Sequence, residues 1–447
     1  MRAFALAPAP RCSRPRSLLR RSLAACTAEG ATAEVVGACC GGAALTGWAL
    51  HLGMSPKLVG LVGALPVVMQ VLHVGGAFLT ARFGHRRTAL VALAISRQTF
   101  LPLAFLPWLP LGPEGRRALL LAAAGAHHGF GIIANNAWNA WMGEMIPPGL
   151  RGRYFGLRTA LCTLAGGSCA LAAGLLLDGA ERAAVGGLVL QGLAVVASLV
   201  GALSVFLMAR QHSQPARCEP GRWALRAMVR PLRDARARLV VAYSVAWNGA
   251  CGLSAPFFGL YLLRDLGTGY ALLAAQGAGL ALMRMTSASA WGKAVDRFGS
   301  KRVLVVCTSG LVLSPLAWLA CTPHRLWPLA LETAAGGLFF GGHGVASFDL
   351  PLSVAPERER PFYIAAVAVA GGAAFAITSA LGGAFADMVT VQAPLRVLFA
   401  GAATLRLVAL GAAWALPNRR LSSLRLPKPV AANAAAEEPH AGLRRAA

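Results

Sequence analysis

The side chains of this sequence that could do chemistry are a few ionisable groups set in otherwise apolar stretches. Glu34 and Glu332 could bind a cation or take up a proton, and His128 and His343 could also carry a proton. An ionisable side chain is costly inside a membrane, and such residues therefore point to functional sites. Glu34 could alternatively lie near the lipid headgroups. His128 is adjacent to His127, and because neighbours on a helix point about 100° apart, the two cannot both face one cavity centre.

Amide side chains form a second group of candidates. Asn135 and Asn139 are four residues apart, which places them on one face of a helix. Asn248 occupies the position that matches Glu34 at an offset of 214 residues. These amides could hydrogen-bond a solute, or they could join neighbouring helices.

The stretches around these residues are long and nearly free of charge. Of the 447 residues, 56% are hydrophobic and 13% are charged, against about 25% in soluble domains. Six charge-free windows each exceed the roughly 20 residues that a helix needs to cross a membrane: 58–81, 118–143, 183–209, 239–263, 303–324 and 361–386. With the shorter runs between them, they predict an all-α polytopic membrane protein with twelve transmembrane helices.

The positive charge is distributed unequally between the two predicted sides of the membrane. The loops and tails on one side carry 32 of the Lys and Arg residues, and those on the other side carry 7. The positive-inside rule makes the first side cytoplasmic, with both termini there and the chain in the cell inner membrane. A net charge of +25 would suggest nucleic acid for a soluble protein, but here we expect the lipid bilayer as the partner and no nucleic acid.

A long polar insert divides the predicted spans into two sets of six. We expect five parts: a cytoplasmic tail (1–28), a six-helix bundle (29–209), a cytoplasmic linker (210–238), a second six-helix bundle (239–417) and a disordered tail (418–447). The halves repeat each other. Arg82-Phe83-Gly84 matches Arg297-Phe298-Gly299 at an offset of 215, and Pro147 matches Pro356 at 209.

One loop carries most of the evidence for a family. The stretch WGKAVDRFGSKR (291–302) contains the pattern Gly-x-x-x-Asp-Arg-x-Gly-x-Lys-Arg, formed by Gly292, Asp296, Arg297, Gly299, Lys301 and Arg302. The first half retains Arg82, Gly84 and Arg86, but Ala77 and Ala81 replace the first glycine and the acid. A third motif, after the fourth span, contains Arg151 and Arg153. In these features the chain resembles the major facilitator superfamily of secondary transporters.

The resemblance implies two pseudo-symmetric six-helix bundles that rock about a central cavity. It implies that Asp296 faces the start of span 5, around residues 153–156, where a helix N-terminus favours a carboxylate. It also implies that spans 1, 4, 7 and 10 line the cavity. The candidates for substrate contact on these spans are Glu34, His128, Asn135, Asn139, Asn248, Glu332 and His343.

We therefore expect a secondary active transporter of a small organic solute, with protons as the candidate coupling ion. We expect a monomer without a cofactor or metal. An efflux protein is one option, although span 5 lacks the Gly-x-x-x-Gly-Pro pattern of drug–proton antiporters in this superfamily. Two alternatives are a transport-inactive sensor or assembly protein and a lipid-translocating member. An enzyme is disfavoured because no HxxxxD, DxxxD or HExxH motif is present.

Overall fold

The protein is built almost entirely of helices. The computed structural model describes residues 16–146, 148–212, 233–354, 360–388 and 394–416. Within these ranges, the β-structure is a single isolated bridge between Thr322 and Arg325. Helices separated by short breaks group into twelve helical segments, numbered in chain order.

The first six segments form the N-terminal bundle. They are segment 1 (Arg16–Cys40 and Gly42–His51), segment 2 (Pro56–Val68, Met69–Val71 and Leu72–Phe83), segment 3 (His85–Gln98, Leu101–Ala104 and Leu106–Trp108), segment 4 (Pro113–Met145), segment 5 (Pro148–Arg182) and segment 6 (Gly186–Ala209).

The other six form the C-terminal bundle. They are segment 7 (Ala235–Gly252, Ala255–Phe257, Phe258–Leu260 and Tyr261–Asp265), segment 8 (Tyr270–Phe298), segment 9 (Ser300–Ala320), segment 10 (Trp327–Val354), segment 11 (Arg360–Met388) and segment 12 (Pro394–Trp414).

The helices have the length and composition of membrane spans. In the described part of the chain, seven are long and apolar enough to cross a membrane, and an eighth span results if the pair Pro56–Val71 and Gly75–Phe83, bent by 48°, is counted as one. The other segments are shorter, broken or more polar; segment 8, for example, contains Arg284, Lys293 and Asp296. The predicted all-α membrane fold is confirmed, and the twelve segments are consistent with the predicted number of spans.

The two bundles pack in the same way. Segment 1 packs against segments 5 and 6, and segment 7 packs correspondingly against segments 11 and 12. Segment 4 packs against segments 2 and 3, as segment 10 does against segments 8 and 9. The main contacts between the bundles follow the same symmetry: segment 5 packs against segment 8, and the equivalent segment 11 packs against segment 2.

Segments 1 and 7 are broken at equivalent positions. Segment 1 is interrupted between Cys40 and Gly42, and Gly42 has a φ of +48°. Segment 7 is interrupted after Gly252, and three short helical turns begin at Ala255. Gly41 and Ala255 are 214 residues apart, the offset that relates the two halves. Both breaks lie at the interface between the bundles, because Gly42–His51 packs against Phe258–Leu260 and Tyr270–Phe298.

The turns after segments 2 and 8 are a second repeated feature. Gly84 and Gly299 adopt almost the same backbone conformation, with φ and ψ of 82° and 153° and of 84° and 152°. This region is essentially restricted to glycine. The glycines that the sequence pairs across the two halves therefore have the same structural role.

The structure departs from the sequence-based boundaries at the N-terminus. Segment 1 begins at Arg16, whereas the sequence predicts a tail up to residue 28. The run from Arg16 to Thr27 contains neither Gly nor Pro and is rich in Leu, Ala and Arg, which are good helix formers. Arg158, close behind the 151–153 motif in sequence, lies within the helix of segment 5.

Replacing Gly299 by Ala should destabilise the protein by about 1–3 kcal/mol, because a Cβ is strained at this φ and ψ. Thermal unfolding of the purified protein measures the loss. Gly292→Ala is the matched control: Gly292 lies within a helix, and no described atom lies within 4 Å of an added Cβ. Equal melting temperatures for the two variants would contradict the expectation.

Candidate functional site

A central cavity of about 750 Å³ lies between the two bundles. The breaks of segments 1 and 7 form part of its wall, together with residues of segments 5, 8 and 10. Most lining residues are small ones, Gly and Ala, with a few Phe side chains. The polar side chains of the wall come from both bundles. Those polar side chains are Glu34, Thr46, Thr163, Gln276, Ser314 and Glu332.

Glu34 is the carboxylate that the N-terminal bundle contributes. Its side chain is exposed and lies over Gly166 of segment 5, where an added Cβ would be 3.0 Å from the Glu34 Oε2 atom. Arg97 and Arg158 are close enough to attract its charge, but no described cation lies within salt-bridge distance of it. Glu34 is thus free to interact with an occupant of the cavity.

Glu332 is the carboxylate that the C-terminal bundle contributes. It is 5% exposed, and each of its oxygens accepts one hydrogen bond. Ser314 donates to Oε1 at 2.9 Å, and Gln276 donates to Oε2 at 3.0 Å. The bond comes from the Gln276 Nε2 atom, which can only donate, so Glu332 Oε2 must act as the acceptor.

The most deeply buried guanidinium group of the spans, that of Arg406, lies inside the C-terminal bundle. No Lys, Arg or His is among the described lining residues. Arg406 is 1% exposed, donates to the Leu311 carbonyl at 2.6 Å and lies over the Trp247 ring at 5.4 Å. The described cavity wall therefore carries two carboxylates and no cationic side chain.

An additional buried ion pair was missed by the sequence analysis. Glu29 is 4% exposed and accepts from Ser204 at 3.2 Å and from Arg158 at 3.5 Å. Arg158 also lies over the Trp138 ring at 4.6 Å. The pair joins segments 1, 5 and 6. The available signal was a second acid, Glu29, five residues before Glu34 and at the predicted start of the first bundle.

His343 lies inside the C-terminal bundle, away from the described cavity wall. Its Nε2 atom is 2.9 Å from the Tyr243 hydroxyl, and its ring stacks on Trp247 at 4.3 Å. Tyr243 is in turn hydrogen-bonded to Thr308 at 2.9 Å. This network joins segments 7, 9 and 10.

The candidates on segment 4 also lie outside the described wall. His128 is half-buried and meets His127 edge to face at 5.4 Å, while His127 is 3.1 Å from the Ser96 carbonyl oxygen. Asn139 and Asn135 are exposed and bond to each other at 3.2 Å, as their spacing predicted. The structure therefore brings Glu34 and Glu332 to one cavity and leaves the segment 4 residues apart from it.

Asn248 faces segment 11. Its amide donates to the Ser244 carbonyl at 2.9 Å. An added Cβ at Gly371 would lie 2.7 Å from its nitrogen. This arrangement matches the helix-joining alternative considered for this residue.

The loop motif residues lie around the two turns that follow segments 2 and 8. Asp296 is exposed and has no salt-bridge partner among the described residues. Arg86 donates to the Ala209 carbonyl at 2.8 Å, and Arg82 and Arg297 lie over the neighbouring Phe83 and Phe298 rings. Lys301 and Arg302 open segment 9. The side chains of Arg151 and Arg153, which the motif pairs with Asp296, lie outside the described part of the structure.

All hydrogen bonds between the bundles in the described residues lie on one side of the molecule. They join Asp178 to the start of segment 8, Asp387 to the start of segment 2, and Ser379 to the Gly60 carbonyl. This is the side opposite the loop motifs, called the opposite side below; the side with the motifs is called the basic side.

Comparisons with known proteins agree with this geometry. Residues 249–445 match the family model described as Major Facilitator Superfamily. A mutant form of the nucleoside transporter NupG superposes with a TM-score of 0.71 at 12% identity, covering 90% of this chain and 100% of that chain. The C-terminal bundle therefore matches this superfamily in sequence, and nearly the whole chain shares the fold of a membrane transporter.

Two further structures share the fold. The inward-open xylose transporter XylE from E. coli has a TM-score of 0.66 at 12% identity and covers 91% of this chain and 98% of its own. A bacterial homologue of the human lysosomal transporter Spinster, inward-facing and occupied, has a TM-score of 0.61 at 13% identity, with coverages of 91% and 97%. None of the curated proteins compared matches the sequence. The fold is therefore that of multi-pass membrane transporters.

Removing Arg158 should destabilise the protein by about 3 kcal/mol, because Glu29 would remain buried without its cation. Thermal unfolding of Arg158→Ala measures the cost, and the double variant Glu29→Gln with Arg158→Ala should recover part of it. Arg264→Ala is the control, since Arg264 is 41% exposed in its pair with Asp265 and such pairs contribute little. A similar loss for both single variants would contradict the role of burial.

Proposed function

We propose that the protein is a secondary active transporter that moves a small organic solute by alternating access, with the two bundles rocking around the central cavity. The observation that carries this proposal is the cavity itself. It lies between the bundles, its wall includes the breaks of segments 1 and 7, and one carboxylate comes from each bundle. A solute held there would contact both moving parts. The cavity lies within one chain, which supports a monomer as the transporting unit.

The distribution of charge supports an orientation in the cell inner membrane. The basic side carries 32 of the Lys and Arg residues counted in loops and tails, so it is the cytoplasmic side, with both termini there. The five-part division of the chain, with a cytoplasmic linker at 210–238, belongs to the same proposal. Hydrogen bonds between the bundles on the opposite side support an inward-facing state.

Protons are the proposed coupling ion, and Glu34 and Glu332 are the proposed carriers. Both carboxylates line the cavity, and neither has a described salt-bridge partner. Gln276, which lines the cavity and binds Glu332, would sense the state of that carboxylate. His128, Asn135, Asn139, Asn248 and His343 are secondary candidates, because they lie off the described wall in this conformation.

Solute flux into proteoliposomes tests the function. The first solutes to assay are nucleosides and xylose, which are named for NupG and XylE, followed by a metabolite library screened by thermal shift. Flux of any solute that depends on the protein supports the proposal. Translocation of labelled phospholipid without solute flux would favour the lipid-translocating alternative, and no flux of either kind would favour the transport-inactive one.

Glu34→Gln or Glu332→Gln should abolish the acceleration of flux by a pH gradient while preserving binding of the solute. The amide keeps the shape of the side chain but cannot carry the proton. Flux is measured with and without the gradient, and Glu114→Gln, an exposed acid paired with Arg117, is the control. An unchanged gradient response in both variants rules out these carriers.

Asp296→Asn should slow flux several-fold while leaving the amount of protein in the membrane unchanged. The reason is the proposed contact of Asp296 with the start of segment 5 when the basic side closes, where a helix N-terminus favours a carboxylate. Asp265→Asn, on the opposite side of the same bundle, controls for loss of charge. Wild-type flux from Asp296→Asn would remove this gating role.

A further inference from the structure

On the opposite side of the molecule, two aspartate carboxylates each accept hydrogen bonds from the other bundle. Asp178 of segment 5 accepts from the backbone N–H of Tyr270 at 2.6 Å and of Ala271 at 3.1 Å. Asp387 of segment 11 accepts from the backbone N–H of Lys57 at 3.3 Å. The acceptors are 209 residues apart, and Lys57 and Ala271 are 214 residues apart. Both offsets are those that relate the two halves of the chain.

The helices that donate these hydrogen bonds have no side-chain cap of their own. Segment 2 begins after Ser55 and segment 8 after Gly269, and neither residue makes a side-chain capping hydrogen bond. Serine is a favoured capping residue, and glycine has no side chain to cap with. The first N–H groups of a helix need an acceptor and favour negative charge. In both cases the described acceptor is an aspartate of the other bundle.

A glycine one turn before each aspartate lets the helices approach. A Cβ added at Gly174 would lie 2.8 Å from the Tyr270 carbonyl oxygen and 2.9 Å from the Ala271 Cα atom. A Cβ added at Gly383 would lie 2.8 Å from the Pro56 carbonyl oxygen and 2.6 Å from the Lys57 Cα atom. These are the same contacts at symmetry-related positions, and any larger residue would push the bundles apart.

The glycine and the aspartate of each contact belong to a short motif that occurs once in each half of the sequence. Residues 174–178 read GLLLD and residues 383–387 read GAFAD, a Gly-x-x-x-Asp pattern at an offset of 209. One helical turn separates the two residues, so that both face the same neighbouring helix. The glycine brings the backbones together, and the aspartate reaches the helix start.

We propose that Asp178 and Asp387, each with its glycine, are a pair of latches that close the opposite side of the transporter. Each latch joins a carboxylate of one bundle to a helix N-terminus of the other, so it must break when the bundles rock to open that side. The inference uses the alternating access of the proposed function but not its solute.

The two latches differ in strength. Asp178 is half-buried and accepts two hydrogen bonds, whereas Asp387 is exposed and accepts one longer bond. Charge-assisted hydrogen bonds are stronger when they are short and shielded from water. Loss of Asp178 should therefore shift the equilibrium more than loss of Asp387.

Hydrogen–deuterium exchange of the full chain in lipid nanodiscs tests the proposal without any solute. Asp178→Asn should raise exchange at the start of segment 8 about fivefold, the factor that corresponds to roughly 1 kcal/mol for a carboxylate at a helix N-terminus. Asp387→Asn should have a smaller effect at the start of segment 2. Because the bundles rock as units, both variants should also lower exchange on the basic side, around Gly84 and Gly299.

The fall in exchange on the basic side separates a latch from a static helix cap. Gly174→Ala should reproduce the pattern of Asp178→Asn with the aspartate intact, whereas Glu114→Gln, an acid with its partner in its own bundle, should leave exchange unchanged. If exchange rises only at the helix starts, or if Glu114→Gln gives the same pattern, the proposal is overturned. Flux measurements are independent of this result, so the two proposals can fail separately.

Discussion

The constraint on which the rest of the structure depends is that a charge inside an apolar helix bundle needs a partner. Glu29 has Arg158 and Ser204, and Glu332 has Ser314 and Gln276. Those partners come from other helices, so each satisfied charge also joins several segments. Glu34 differs, because it is exposed at the cavity without a described cation within bonding distance. It is the group whose partner an occupant could supply.

The second constraint is how closely the two bundles approach. On the opposite side, glycines let helix backbones meet, and carboxylates complete the starts of the neighbouring helices. Such contacts are short and geometrically narrow, and they are lost after a small displacement. A bundle interface held in this way can separate as a unit without disturbing the packing within each bundle, which is what alternating access requires.

The two halves share a plan but differ in their chemistry. Segment 10 carries Glu332, while segment 4 contributes no residue to the described cavity wall. The loop after segment 8 has Asp296, where the first half has Ala81. On the opposite side, Asp178 makes two hydrogen bonds and Asp387 makes one. Symmetry therefore sets the positions of the elements, and the individual residues make the halves energetically unequal.

The sequence pointed to Glu34 and Glu332 because a carboxylate in a charge-free run is conspicuous. Both line the cavity, and their part in transport stays a prediction. Glu29, Arg158 and the latch residues were missed because they lie close to predicted span ends, where charge is ordinary. His343 has the same sequence signature as a cavity residue, yet its ring stacks on Trp247 inside a bundle. A uniformly apolar sequence does not show which face of a helix points toward the cavity, because polar and apolar faces are not distinguished.

The sequence by itself determined the class of the protein, its internal repeat and the two glycine turns, because hydrophobic length, charge distribution and backbone restrictions are local properties. Only the tertiary structure decided which ionisable side chains line the cavity and which are buried in a bundle. It also decided where the bundles touch. Those outcomes depend on the rotation and approach of helices far apart in the chain, which no local pattern specifies.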